Sequence, residues 1–193
     1  MDQRIYKTKL GLRNALKELL SEKPFDKIKV TEICSRSKTS RVTFYTYYND
    51  KYDLLNDLYI SMEEDAEQQF KKRQKTNNPE NDFEKSLQNV LDTLVSFDDN
   101  PALSVPRLLV DRDITPLYHN FLVRFIERFE IQYPDYLSTR YPVKALNSFI
   151  AFGLWGFLHS HPGKVTREDR KQARQLLRDL VESRIFSNDG SGK

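Results

Sequence analysis

Apolar residues recur along this chain every three or four positions and hardly ever every second one, a period that restricts the fold to helices packed on helices. Between residues 4 and 22 the stripe is Ile5, Leu12, Ala15, Leu16, Leu19 and Leu20, and it stops before Pro24. Two short helices are predicted next, one over TEICSRS (31–37) and one over 41–48, parted by the polar residues Lys38, Thr39 and Ser40. Asp50 is placed to cap a long fourth helix whose third residue, Asp53, suits the positive end of the dipole. Its apolar row of Leu55, Leu58, Tyr59, Met62, Ala66 and Phe70 fades into a predicted loop, KKRQKTNNPEND, centred on Asn77, Asn78 and Pro79.

The period returns with Phe83, Leu87, Val90, Leu91 and Leu94. Asn100-Pro101 and Val105-Pro106 then break the chain into short helical pieces, and Tyr118, Phe121, Leu122, Phe125 and Phe129 mark a helix ending near Pro134. Pro142 suits the first turn of a helix that runs to His161-Pro162-Gly163. Thr166 caps the last helix, with Glu168 and Asp169 in its first turn and Ala173, Leu176, Leu177, Leu180, Val181 and Ile185 on one face. The fold expected is all-α, with about nine helices. Residues 1–50 form a three-helix amino-terminal domain, 51–187 a helical bundle and 188–193 a disordered tail.

Composition narrows the function. With 38% hydrophobic and 12% aromatic residues the chain carries enough apolar surface for a packed core. The opening MDQRIYKTKLGLRN has no apolar run of the kind a signal peptide needs, and the most apolar stretch, 145–158, falls short of the roughly 20 residues of a membrane span. The single cysteine, Cys34, forms no internal disulfide, in keeping with a reducing, cytoplasmic setting. Charge is unevenly placed: residues 1–51 hold 12 Lys/Arg against 6 Asp/Glu, the remainder 19 against 22. Such asymmetry points the amino-terminal segment at a polyanion. No phosphate loop, nucleophile elbow or zinc helix is present, so no catalysis is expected. His119, His159 and His161 lack the i, i+4 spacing of a helical ligand pair, so neither metal nor cofactor is expected.

Two short helices joined by a tight turn inside a basic segment suit a helix-turn-helix, here about 29–48, that lays its second helix in the major groove of DNA. The stretch FDKIKVTEICSRSKTSRVTFYTYYNDKYDLL, residues 25–55, closely resembles the signature of the TetR/AcrR family of transcriptional regulators. The resemblance implies that Arg41, Val42 and Tyr45 meet base edges, with Arg41 as guanine reader, because its planar fork matches O6 and N7. Thr43, Tyr47 and Lys51 correspond to phosphate contacts, and Thr31 to a position in the preceding helix that also reaches DNA. Phe44 and Tyr48 point the other way and pack the small core against Ile33 and Leu16. Two residues depart from the pattern. Lys38 stands where the family usually has the glycine of the turn, and Lys29 where it commonly has a capping threonine; each change costs about 1 kcal/mol locally, and Lys29 is placed to gain a phosphate instead.

The resemblance also implies a homodimer through residues 142–161 and 166–186, which spaces two reading heads on a palindromic operator. Gly153 and Gly156, each unfavourable inside a helix by about 1 kcal/mol, suit a close approach of backbones there. Phe97, Tyr118, Phe121, Phe125, Phe149, Phe152 and Trp155 are the candidates for an apolar cavity holding a small-molecule effector that releases a repressor from its operator. The alternative is a DNA-binding regulator with no small effector, controlled by a protein partner or acting constitutively.

Overall fold

The computed structural model describes residues 3–96, 115–129, 131–138, 140–158, 160 and 165–182, and every regular element among them is helical. In chain order these are α1 (Gln3–Glu22), a 3-10 turn (Phe25–Lys27), α2 (Val30–Arg36), α3 (Arg41–Tyr47), α4 (Lys51–Asn77), α5 (Phe83–Ser96), α6 (Thr115–Glu127), α7 (Asp135–Ser138), α8 (Val143–Leu158) and α9 (Arg167–Glu182). The short pieces expected around residues 100–106, the carboxyl-terminal tail, Ile185, His159 and His161 lie outside the described residues, as does the side chain of His119.

The chain divides into two compact units, Met1–Glu64 with Asp99–Phe121, and Asp65–Asp98 with Leu122–Lys193. The first of these units runs past residue 50 to Glu64. The reason is packing: Leu54, Leu55, Leu58 and Tyr59 at the start of α4 are buried together with Leu12, Leu16, Leu19, Leu20, Ile33 and Phe44. α4 thus completes the core of α1, α2 and α3, and each fully buried Leu or Phe contributes about 1.5–3 kcal/mol over an exposed one. Tyr59 stacks on Phe121 at 4.7 Å between ring centres, and burial pushes its hydroxyl well above the ordinary tyrosine pKa.

Within the second unit α5, α8 and α9 pack on one another. α5 buries Phe83, Leu87, Val90, Leu91 and Leu94, the face its period predicts. Its polar residues are buried too. Ser86 and Asn89 form a seam with the end of α4, in which Asn77 and Asn89 exchange side-chain amide hydrogen bonds of 3.0 and 2.9 Å and Gln74 donates to Ser86 Oγ at 2.9 Å, while Thr93 Oγ1 donates to Asn89 O of its own helix at 2.7 Å. Asn78 closes the α4–α5 connection: its amide donates to Asp82 O at 2.9 Å and to Ser86 Oγ at 3.0 Å, while Asp82 N donates to Asn78 Oδ1 at 2.8 Å. These bonds explain why α4 runs to Asn77, through most of the polar segment expected to be loop.

α9 opens with a reciprocal cap, Thr166 N donating to Asp169 Oδ2 at 2.8 Å and Asp169 N to Thr166 Oγ1 at 3.2 Å. Ala173 and Leu177 are buried, whereas Leu176 and Leu180 are half-buried and line a shallow apolar groove with Leu87, Phe149, Ile150 and Gly153. Phe149 is 63% exposed there. A Cβ added at Gly153 or Gly156 would meet nothing within 4 Å.

Candidate nucleic-acid interface

The two short helices are built from local hydrogen bonds. Lys29 precedes α2 and has no acceptor with which to cap it, so only the reverse half of the capping box is made: Lys29 N donates to Glu32 Oε2 at 2.9 Å. Lys23 also bonds Glu32, which holds that carboxyl below the ordinary glutamate pKa. At the other end of α2, Lys38 N donates to Ser35 O at 3.3 Å and Thr39 N to Cys34 O at 2.9 Å, the two bonds of a Schellman motif. That motif requires a left-handed residue, and Lys38 supplies it at φ 54°. The turn expected of a glycine is kept with a lysine in it, at a cost of about 1–2 kcal/mol. Ser40 then caps α3, its Oγ accepting from Thr43 N at 3.0 Å.

Seven residues cannot hold themselves helical in water, so α3 depends on its inner face. Phe44 is fully buried and Tyr48, just past the helix, is 4% exposed. The Tyr48 hydroxyl donates to Asp57 Oδ2 at 2.7 Å, and Lys9 and Arg13 of α1 approach the same carboxylate at 3.8 Å. Burial, then the bond to Asp57, raises the Tyr48 pKa far above the ordinary value. This clamp, which joins α1, the end of α3 and α4, is absent from the expectations above; its partners are scattered along the sequence and no spacing announces them.

On the outer face Val42 is 80% exposed and Tyr45 51%, and Arg41 and Thr31 are also exposed. Thr43 and Tyr47 are half-buried, with Thr43 Oγ1 lying 2.8 Å from Ser40 Oγ. Lys51, expected to contact phosphate, has its ammonium engaged within the chain. Its ammonium donates to the carbonyls of Phe25, Asp26 and Ile28 at 2.9, 3.2 and 3.0 Å and lies 4.5 Å from the centre of the Phe25 ring. The 3-10 turn brings these three carbonyls together, only that of Phe25 accepting a bond from within the turn, from Ile28 N at 3.0 Å, and a lysine from the first turn of α4 donates to all three.

Residues 12–58 match the model for bacterial regulatory proteins of the tetR family. Over 90% of this chain and 99% of that one, the fold is similar to a transcriptional regulator of the TerR/AcrR family from Aquifex aeolicus VF5, with a TM-score of 0.63 at 21% identity. A TetR transcriptional regulator from Streptococcus agalactiae 2603V gives 0.55 at 27% identity, covering 91% and 96% of the two chains. The amino-terminal segment of this chain is therefore similar to the tetR family. No curated protein sequence matches it significantly.

The tetR-family match spans the helix-turn-helix and the start of α4, the same residues that share one buried core. Most basic side chains of this segment are occupied internally: Arg36 bonds Glu22 at 2.6 and 3.1 Å, Lys27 pairs with Asp26 at 3.1 Å, and Lys23 with Glu32. Of the aromatic residues expected around an effector, Phe121 is stacked on Tyr59 in the first unit and Phe125 meets Phe129 edge-on at 5.1 Å in the second. Phe149 is exposed in the groove and Phe152 half-buried. Phe97 and the side chains of Tyr118 and Trp155 lie outside the described residues.

Proposed function

We propose that this chain is a tetR-family regulator, a homodimeric repressor that reads a palindromic operator through Arg41, Val42 and Tyr45, with Thr31, Thr43 and Tyr47 touching the backbone. The observation that carries the reading is the two-sidedness of α3: Phe44 and Tyr48 anchor it inward, while Arg41, Val42 and Tyr45 are left in solvent on a segment already rich in cations. An exposed valine and tyrosine on a short helix are costly in water and useful against thymine methyls and sugar edges. Lys51 is left out of the contact set, since its donors serve the 3-10 turn.

Dimerisation through α8 and α9 is supported by the apolar groove they line, by exposed Phe149, and by two glycines with open space beside them. A second copy covers that face and removes it from water. Release by a small apolar effector completes the proposal. Operator affinity then falls by the coupling between the two sites.

Selection of bound duplexes from random DNA tests the core of this reading. A two-fold symmetric site is expected, its half-sites centred roughly 34–36 Å apart or a multiple of that. Failure to enrich any sequence defeats it. A panel of apolar compounds screened by thermal shift tests the effector; no stabilisation by any favours control without a small molecule.

A further inference from the structure

The left-handed lysine of the helix-turn-helix has no task inside the protein. Among the described residues Lys38 makes no ion pair and its side chain no hydrogen bond, and it is exposed, whereas Lys23, Lys27, Arg36 and Lys51 of the same segment are committed to carboxylates or carbonyls. Its backbone is fixed by the bonds from Lys38 N to Ser35 O and from Thr39 N to Cys34 O, which leave φ at 54°, where glycine is at ease and a lysine is strained. A strained residue with an unpaired charge stands two positions before the cap, Ser40, and three before Arg41, the first residue of the outward-facing helix. Burial does not call for it, because the side chain is in solvent, and neither does the turn, because the motif accepts glycine without penalty.

We propose that Lys38 is a contact to the phosphate backbone of DNA, a position at which the turn accepts backbone strain in exchange for a fixed cation beside the reading helix. The assignment rests on the operator-binding reading above and adds a residue to it. Such a contact is blind to sequence: it strengthens binding to every duplex and steepens the salt dependence, since each neutralised phosphate releases counterions.

Strain and charge are separable by substitution. Lys38→Gly removes both, Lys38→Gln removes the charge and keeps the strain, and Lys38→Arg keeps both. Binding of the full-length protein to its selected duplex and to an unrelated duplex is measured across a salt series, alongside melting temperature. The expected result is a Lys38→Gly protein that melts higher than the parent yet binds both duplexes more weakly, with the slope of log affinity against log salt reduced by about one unit. Lys38→Gln is expected to show the same slope without the rise in melting temperature, and Lys38→Arg to restore the parent slope. A parent that binds tightly, with Gly and Gln variants of unchanged slope, overturns the assignment and leaves the operator reading standing. A parent that enriches no sequence and binds no duplex overturns both.

Discussion

Phe44 and Tyr45 are consecutive on α3, their rings meet edge-on with centres 5.3 Å apart at 87°, and yet one is sealed in the core and the other half exposed. The inner ring holds the helix and the outer one is presented by it. Phe44→Ala is expected to destabilise the protein by about 3–5 kcal/mol through the cavity it leaves. Tyr45→Ala is expected to leave the melting temperature within a degree or two of the parent while specific DNA binding is lost, and Arg41→Ala to cost about 1–3 kcal/mol of discrimination at one base pair. Melting curves paired with binding to the selected duplex and its single-base variants check all three; a Tyr45→Ala protein with full sequence preference contradicts the reading.

Lys51 should act on stability. Its ammonium meets three carbonyls, so Lys51→Met, which keeps the stem and discards the donors, is expected to cost on the order of 1–3 kcal/mol. Chemical denaturation gives the number. An unchanged midpoint together with a shallower salt slope in DNA binding would instead return this residue to the phosphate contacts.

The face of α8 and α9 has a clear mutational signature. Phe149→Asp places a charge in the apolar groove, and Gly156→Phe fills space that is open within one chain. Both are expected to give monomers in sedimentation with helical content retained, because Phe149 is exposed and a Cβ at Gly156 meets nothing within 4 Å. Persistence of the dimer in both would locate the interface elsewhere.

Acid should loosen the ties between elements. The hydrogen bonds from Arg36 hold the Glu22 carboxyl below its ordinary value of 4.5, and Lys71 and then Arg128 do the same for Glu67. A carboxyl whose pKa is lowered on folding contributes stability that is present above the unfolded value and lost as pH falls through the folded one. Melting temperature is therefore expected to drop on going from pH 6 to below 4. In Glu67→Gln the drop should be smaller, starting from a slightly lower value at neutral pH; equal pH profiles for parent and variant would refute the assignment.

Much of this architecture was legible because one period governs it. The stripes on α1 and α5 mark the buried faces, with Ile5 alone of their residues only half-buried, since a helix that must hide one face repeats its apolar residues at 3.6. Caps were legible too: Asp50 accepts from Tyr52 N and Asp53 N at 2.8 and 2.9 Å, and Thr166 and Asp169 close on each other. Contacts between distant residues were not. Lys51 reaches back some two dozen positions to Phe25, Asp26 and Ile28, and Tyr48 finds Asp57, by geometry that no local pattern encodes. Aromatic spacing is ambiguous in a different way: the same period that would line a cavity also fills a core, and Phe121 and Phe125 are each buried in their own unit.

The amide ladder between the end of α4 and α5 sets a limit on how this part of the protein can change. Greasy helix faces tolerate slippage, because one leucine serves nearly as well as the next; this ladder does not, because a shift of one turn, about 5.4 Å, would part Gln74 and Asn77 from buried Ser86 and Asn89 and strand those two dry and unanswered. Whatever rearrangement accompanies regulation must therefore carry these two stretches as one piece.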